Sequence, residues 1–431
     1  MIFFVNSIPL ATAKATRIEE KLPGPLFISI EKFLSKITLC FFTKFNMLIT
    51  SRSLFLTFLL NSCIKKLVLT FKPILSSLPM QFKIKKSLII YLFIAVLSFQ
   101  NNLYSNSLLE KVNDFGIISI MYHRFDENKY PSTNIRIEDF KKHLEIIQKN
   151  NIKFINPKNF EKDLRNNKKQ RKILLTIDDG FLSFYQNAWP ILKANKIPFI
   201  LFISTREVGS YNYMNWDQIK EINKEDFVEI GNHSHTHEYL VDENNEIIKT
   251  DIQKSINIFN EKLEKNSNFF SYPFGEYSVN FKNIIKSFGF KYAFGQHSGV
   301  IDDTKNFYEL PRYPINEKYG ELTRFKTLIK SLPFKYKEIL PKERYLLAKD
   351  NPPEVQIEFY DNIENLKSIN CYSNEANRWR KSEIVFISNT VLQISIKEKF
   401  TGERGRINCS LRDPSGFWRW LGIQFVVSGN N

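Results

Sequence analysis

The chain has few cysteines, and their spacing excludes one common kind of site. Only four occur in 431 residues, namely Cys40, Cys63, Cys371 and Cys409. No two of them have the short spacing of a CxxC motif, so the sequence indicates neither a thiolate zinc site nor a dithiol redox site. Cys371 and Cys409 lie near the C-terminus, and an oxidising compartment would allow them to form a disulfide. Two separate, small buried side chains are the alternative.

Acidic residues are scarce in the first quarter of the chain, which accounts for most of its basic character. The formal net charge is +16, and residues 1–107 carry +10 of it with only three acidic residues. The remaining +6 is spread over a long region of mixed charge. That region lacks the basic block typical of nucleic-acid binding, so we expect no nucleic-acid partner.

The apolar run at 88–99 is shorter than the about 20 residues that a membrane-spanning helix needs. It follows Met80 and a basic stretch at 83–86, and it precedes small residues at 105–107. This order predicts a secretory signal peptide over residues 80–107, and hence a secreted or periplasmic protein. The alternative is an uncleaved segment that anchors the protein on the outer side of the membrane. We expect membrane contact only through such a segment.

Residues 1–79 fit no domain pattern, because they are nearly free of acidic residues and show no sustained period. We interpret them as an over-extension, with translation starting at Met80. A targeting pre-sequence or an extra membrane-associated segment is the alternative.

Apolar strands alternate with amphipathic helices from about residue 115 to 330. For example, 172–177 has the pattern of a buried strand, and 181–194 has helical spacing of its apolar residues. This alternation predicts an α/β domain with a mostly parallel sheet, either open or closed into a barrel. We place this domain at residues 108–335 and expect its chemistry at the carboxyl ends of the strands.

Two adjacent carboxylates, Asp178 and Asp179, end one predicted strand. Neighbouring side chains of a strand point in opposite directions, so one carboxylate could bind a metal while the other faces an attacking water. Gly180 permits a sharp exit into the next helix. Taken alone, an Asp-Asp-Gly sequence is more often a simple turn.

Histidine is scarce, yet three of the six histidines lie between residues 233 and 237, just after another predicted strand. His233 and His237 are four residues apart, so one helical turn would place both imidazoles on one face. With Asp179 they make a site of two imidazoles and one carboxylate, which leaves a position open for water, as a catalytic zinc requires. We expect His235 to point elsewhere.

A third motif, at residues 271–277, also follows a strand. A rigid Pro273 and a glycine beside aromatic residues suit the wall of a groove, where a backbone N–H could stabilise an oxyanion. A proline-bearing turn is the alternative for this motif alone.

These three motifs, in this order and each at a strand end, resemble the NodB-type polysaccharide deacetylases of carbohydrate esterase family 4. The resemblance covers about residues 115–330 and extends to the motifs at 122–124 and 310–312. It implies a distorted (β/α) barrel, an N-acetylated polysaccharide as substrate and a divalent metal cofactor. Zinc is the ion that we expect, and Co²⁺ or Ni²⁺ would suit the same ligands.

The resemblance also implies roles for individual residues. Asp178 matches the general base, whereas Asp179, His233 and His237 match the metal ligands. Phe274 matches the residue whose backbone N–H helps to hold the oxyanion. We expect contacts with the substrate from three further residues of these motifs, namely His123, Tyr272 and Pro273.

The sequence also departs from the family pattern. Ser271 stands where many relatives have an arginine that orients the base, and Arg312 is our candidate to replace it. The family's late histidine, the general acid, has no evident counterpart, and His297 is one candidate for that role. These departures keep two alternatives open: a lapsed enzyme that only binds polysaccharide, and an esterase that removes O-acetyl groups.

The C-terminal part of the chain has a different sequence pattern. Several prolines at 336–353 predict a linker, and short apolar runs separated by turn residues over 354–431 predict a small all-β domain, sandwich-like in form. Four aromatic residues of this domain could stack on sugar rings or could form its core: Trp379, Phe417, Trp418 and Trp420. The sequence does not determine the oligomeric state or the identity of the polysaccharide.

Overall fold

The computed structural model describes residues 115–165, 170–360 and 363–429. The predicted signal peptide at 80–107 and the segment 1–79 lie outside these residues. Within the described ranges, no helix has both the length and the apolar character needed to cross a membrane.

The first domain is built on a sheet of eight strands, and two further short strands form a separate ribbon. In chain order the strands are β1 (Ile117–Tyr122), β2 (Arg124–Phe125), β3 (Asn134–Ile135), β4 (Lys153–Phe154), β5 (Lys172–Ile177), β6 (Phe199–Ile203), β7 (Val228–Asn232), β8 (Phe269–Ser271), β9 (Tyr292–Phe294) and β10 (Tyr313–Pro314). The α-helices are α1 (Ile137–Lys149), α2 (Phe160–Arg165), α3 (Trp189–Ala194), α4 (Trp216–Asn223), α5 (Asn245–Leu263), α6 (Val279–Ser287) and α7 (Leu322–Leu328).

The large sheet has the order β10-β1-β5-β6-β7-β8-β9, with β4 beside β5, and every pairing is parallel. Parallel neighbours require crossover connections, which the helices supply. The two ends of the sheet approach each other, since Phe294 at the end of β9 forms a parallel bridge with Leu310, just before β10. The predicted distorted (β/α) barrel is thereby confirmed.

Local sequence signals account for individual elements. All six residues of β5 are buried, as expected for a central strand covered on both faces. Helix α4 begins with a capping box, because the Asn215 side chain accepts a hydrogen bond from the Gln218 N–H and the Gln218 side chain accepts one from the Asn215 N–H. The predicted helix at 181–194 differs, because residues 184–188 form a π-helical turn before α3.

The second domain consists of two sheets in which most strand pairs are antiparallel. Its strands are β11 (Leu332–Pro333), β12 (Tyr336–Leu340), β13 (Tyr345–Leu346), β14 (Val355–Phe359), β15 (Asn370–Ser373), β16 (Arg380–Lys381), β17 (Glu383–Phe386), β18 (Val391–Ser395), β19 (Arg404–Arg412) and β20 (Trp418–Val427). One sheet has the order β11-β20-β19-β15-β16 with β13 beside β20, and the other has the order β12-β14-β18-β17. Buried residues of both sheets share one core, as in a sandwich.

Cys371 and Cys409 are directly opposite each other on β15 and β19, and they form a disulfide. Of the two possibilities that the sequence left open, the structure shows the bonded pair.

The predicted linker at 336–353 is wrong. Strand β12 pairs with β14, and β13 pairs with β20, so this segment is part of the β domain. The prolines that suggested a linker lie between strands, at positions where no ladder hydrogen bond needs their missing N–H group.

Strand β20 lies directly against the barrel. The Gly422 N–H donates to the Ser298 carbonyl at 2.6 Å, and Leu421 forms a bridge with Gly299. A Cβ atom on Gly422 would lie 2.6 Å from the Ser298 oxygen, so glycine is what allows this approach. The β domain thereby reaches the carboxyl ends of the barrel strands.

Candidate active site

The two aspartates at the end of β5 lie at the carboxyl end of the barrel, where the resemblance placed the site. Asp178 is fully buried, and its N–H donates to the Tyr122 carbonyl at 2.9 Å. Asp179 has a φ of 74°, in the left-handed region that non-glycine residues rarely adopt. This backbone turn directs the two carboxylates to different neighbours, and such strain is typical of functional sites.

His233 and His237 converge on Asp179, but not through a helical turn. Residues 233–239 form an irregular loop, in which Ser234 and His237 have φ values of 70° and 55°. The helical argument was therefore wrong in its geometry, although the two imidazoles do meet. The Oδ1 atom of Asp179 lies 3.3 Å from the Nε2 atom of each histidine.

The loop is held by residues that the sequence analysis missed. Asp251 of α5 is buried and accepts hydrogen bonds from the N–H groups of His235 and Thr236 and from the Thr236 hydroxyl. Because the carboxylate accepts three donors from one loop, it fixes the path that brings His237 to Asp179. An acidic residue among the apolar residues on the buried face of α5 was the available signal.

The donor set of Asp179, His233 and His237 fits a divalent cation. The His233 Nδ1–H donates to the Ser271 carbonyl at 2.7 Å, which leaves a lone pair on Nε2 pointing at Asp179. Asp179 Oδ1 is buried and has no hydrogen-bond partner among the described residues. Two acceptors therefore face each other, an arrangement that a cation would stabilise. A tetrahedral zinc site separates its ligand atoms by about 3.4 Å, close to the two distances found here.

Arg312 binds Asp178 in a bidentate pair, as the sequence analysis proposed for the missing arginine. Its two terminal nitrogens lie 2.7 and 2.8 Å from the two carboxylate oxygens, and both side chains are fully buried. Ser271 fills the remaining space, since its hydroxyl accepts from Arg312 at 2.8 Å and donates to Asp178 at 3.2 Å. Burial acts to raise the pKa of Asp178, but the charges of Arg312, His233 and His123 and the hydrogen bonds from Arg312 together outweigh it and lower the pKa. Asp178 is thus ionised at neutral pH.

Three further predicted residues line the cavity above the aspartates, namely His123, Phe274 and His297. Phe274 has a φ of 56°, and its N–H has no acceptor among the described residues. This N–H remains available for an oxyanion. Burial lowers the pKa of His123, and it lowers the pKa of His297 to about 4. A neutral His297 near pH 7 is a poor general acid, which argues against that assignment.

Tyr272 and Pro273 do not line the cavity. Tyr272 is fully buried in a hydrophobic cluster, and its hydroxyl donates to the Tyr308 carbonyl at 2.9 Å. Pro273 is buried at the start of a 3₁₀ turn. The expectation that these two side chains contact the substrate is therefore wrong, because the aromatic ring faces the core and the turn presents Phe274 instead.

The β domain supplies one wall of the same cavity, which has a volume of about 650 Å³. Its contribution comes from β19, β20 and the segment before β16, and includes Trp379, Arg404, Arg406, Asn408 and Trp420. Of the four aromatic residues noted in the sequence, Trp379 and Trp420 lie at the cavity, whereas Phe417 packs against Phe115 and Leu332.

Comparison with known proteins identifies a matching family and several similar proteins. Residues 165–293 match the family model described as polysaccharide deacetylase. The chain is 28% identical over 236 residues to a poly-beta-1,6-N-acetyl-D-glucosamine N-deacetylase of Staphylococcus epidermidis, covering 51% of this chain and 78% of that protein. It is 26% identical over 213 residues to a protein of the same description from Staphylococcus aureus, covering 46% and 73%.

Among solved structures, the chain is similar to IcaB from Ammonifex degensii, with 23% identity, a TM-score of 0.47, and coverage of 51% of this chain and 99% of that one. It is also similar to the Streptococcus pyogenes deacetylase PplD, with 22% identity, a TM-score of 0.44, and coverage of 47% and 94%. The family match over residues 165–293 confirms the resemblance of this part of the chain to the polysaccharide deacetylases.

Proposed function

We propose that the protein is a metal-dependent hydrolase that removes acetyl groups from a polysaccharide containing N-acetylglucosamine. The observation that carries the proposal is the cluster of Asp179, His233 and His237, of which His233 is buried, beside an ionised, arginine-bound Asp178. The names of the staphylococcal relatives support an N-acetylglucosamine polymer as the substrate class.

Zinc is the ion that we propose for the trio, because two imidazoles and one carboxylate leave a coordination position open for catalysis. Co²⁺ or Ni²⁺ would fit the same ligand set. When bound, the cation would supply Lewis acidity, which polarises the acetyl carbonyl and acidifies the attacking water.

The side chains of the site have separate tasks in this proposal. Asp178 accepts a proton from the attacking water, and Arg312 holds its carboxylate in one orientation. The Phe274 N–H stabilises the negative charge that develops on the acetyl oxygen. The departing amine must gain a proton, and Asp178 holds one after the attack. The low pKa of His297 makes it the weaker candidate for this step.

Two alternative functions make different predictions. A lapsed enzyme would bind the polysaccharide without hydrolysis, but Arg312 occupies the place of the missing arginine and removes one argument for a lapsed site. An esterase with the same site would release acetate faster from O-acetyl than from N-acetyl substrates. Comparing the two substrates at equal concentration distinguishes the esterase from the amidase.

We propose that the protein works outside the cytoplasm, secreted or in the periplasm, with membrane contact only through an N-terminal segment that is not cleaved. The disulfide between Cys371 and Cys409 supports this location, since such bonds persist in oxidising compartments. The division into a signal peptide at 80–107 and a deacetylase domain is part of the same proposal. The expected bounds of that domain, 108–335, are shortened to end before β11, because β11 pairs with β20 of the β domain.

Acetate release from N-acetylglucosamine oligomers tests the proposed function. The purified protein is assayed after chelation and again after Zn²⁺ is added, beside His233→Ala. His235→Ala is the matched control, because His235 lies in the same loop but its ring contacts the Thr205 hydroxyl instead of Asp179. We expect metal-dependent release that His233→Ala abolishes and His235→Ala largely keeps. Equal release before and after chelation would contradict the proposal.

A further inference from the structure

Positively charged side chains outnumber negatively charged ones in the lining of the cavity above the aspartates, and this excess bears on the charge of the substrate. Its lining residues include three arginines, Arg324, Arg404 and Arg406, and one carboxylate, Asp179. Asp179 is already assigned to the cation, so it does not neutralise the three arginines.

Arg404 has its own counter-ion. Its Nε–H donates to Glu276 Oε1 at 2.5 Å, and Glu276 is buried behind it. This pair joins the β domain to the barrel beside Phe274.

Arg406 is two residues further along β19, on the same face of the strand, and it has no such partner. Among the described residues, no carboxylate forms an ion pair or hydrogen bond with its guanidinium. Burial lowers its pKa, and the charge of Arg404 lowers it further. The charges of Glu276 and Glu403 act on Arg406 in the favourable direction, but neither carboxylate pairs with it, so this partly buried guanidinium can bind an anion that enters the cavity.

Arg324, which belongs to the barrel, is a second arginine that lines the cavity without a paired carboxylate. One terminal nitrogen donates to the Tyr319 carbonyl at 2.5 Å, and the guanidinium lies 5.2 Å from the centre of the Tyr319 ring. It too forms no ion pair within the described part of the chain, and burial lowers its pKa. The Tyr319 side chain also influences Arg406 electrostatically, and both arginines line the same cavity.

We propose that Arg406 and Arg324 bind an anionic substituent, a carboxylate or a phosphate, that the glycan carries near the N-acetyl group to be hydrolysed. A guanidinium matches both anions with two parallel hydrogen bonds. Trp379 is 51% exposed at the same wall and offers a ring face to the sugar that bears the charge. This inference rests on the proposed deacetylase function and names the charge class of its substrate.

The test compares three oligomers of one length: neutral N-acetylglucosamine, the same oligomer with a C6 carboxylate, and the same oligomer with a C6 phosphate. Acetate release is measured with Zn²⁺ for the unmodified protein, Arg406→Gln, Arg324→Gln and the control Arg412→Gln. Arg412 is exposed at the other end of β19 and does not line the cavity.

We expect kcat/KM for one charged oligomer to exceed that for the neutral one by about ten- to hundred-fold, the range of one charged hydrogen-bonded contact. Arg406→Gln and Arg324→Gln should each reduce this ratio at least about threefold, and Arg412→Gln should leave it unchanged. The better charged oligomer identifies carboxylate or phosphate. Equal kcat/KM for all three oligomers, or an unchanged ratio in both cavity variants, would overturn the inference.

A calorimetric titration of the same oligomers separates this inference from the proposed function. If no oligomer releases acetate, the deacetylase proposal fails, but tighter binding of a charged oligomer that Arg406→Gln weakens would still support an anion site. Equal affinity for neutral and charged oligomers would refute that site whether or not acetate is released.

Discussion

Replacing Arg312 tests how the site orients its catalytic base when serine, and not arginine, stands at position 271. The Arg312 guanidinium is fully buried and donates to both oxygens of Asp178, to the Ser271 hydroxyl and to the Gly295 carbonyl. Arg312→Met would leave the Asp178 carboxylate buried without a counter-ion. Breaking a buried pair in this way lowers the free energy of unfolding by about 3–5 kcal/mol.

Activity should fall for a separate reason. Without the bidentate pair, the Asp178 carboxylate loses its fixed orientation, and general-base catalysis contributes about 10²–10⁴-fold to a rate. We therefore expect kcat to fall by about 10² or more, with KM changed less because Arg312 does not line the cavity.

Arg312→Lys separates orientation from charge. A lysine restores a counter-ion but cannot make two parallel hydrogen bonds, so it should recover more stability than kcat. The assays are denaturant unfolding, acetate release and zinc content of each variant. The positioning role is refuted if Arg312→Met keeps the kcat of the unmodified protein. It is also refuted if Arg312→Lys, which cannot form the bidentate pair with Asp178, has the full kcat.

Three other predictions concern the junction and the β domain. Burial raises the pKa of Glu276 to about 7, so the folded protein binds this proton more tightly than the unfolded chain does. The protein therefore loses stability as the pH rises from about 4.5 through about 7. Glu276→Gln should flatten this part of the stability profile measured by thermal unfolding, and an unchanged profile would contradict the shift. Gly422→Ala places a Cβ atom 2.6 Å from the Ser298 oxygen and should lower the unfolding free energy by about 1–3 kcal/mol, whereas an unchanged Tm would show that the junction can open. Reducing the Cys371–Cys409 bond, which closes a segment of 38 residues, should lower stability by about 4 kcal/mol in denaturant unfolding, and no change on reduction would mean that the bond constrains little.

Much of the barrel could be predicted because its signals are local. Strand β5 was predicted with its observed bounds, since a fully buried strand is a continuous apolar run. The cap at Asn215 was also readable from residue type and spacing. The site residues were found because each follows a strand, and the carboxyl ends of parallel strands meet at one edge.

The features of the site that could not be predicted from the sequence depend on long-range contacts. The pairing of Arg312 with Asp178 joins residues 134 positions apart, and only the resemblance suggested it. The helical turn assumed for His233 and His237 failed because Asp251 holds the loop in a left-handed path. Tyr272 was assigned to the cavity because a period-based pattern does not reveal which way a side chain leaves an irregular turn. The cavity wall from β19 is likewise formed by packing between distant segments.

The metal content of Asp178→Asn and Asp179→Asn, measured together with their acetate release, tests the central claim most directly. The claim assigns the two neighbouring carboxylates to different tasks: one binds the cation and the other moves the proton. We predict that Asp178→Asn retains one zinc per chain and releases no acetate, whereas Asp179→Asn loses both zinc and activity. Full activity in Asp178→Asn, or normal zinc content in Asp179→Asn, would contradict the account.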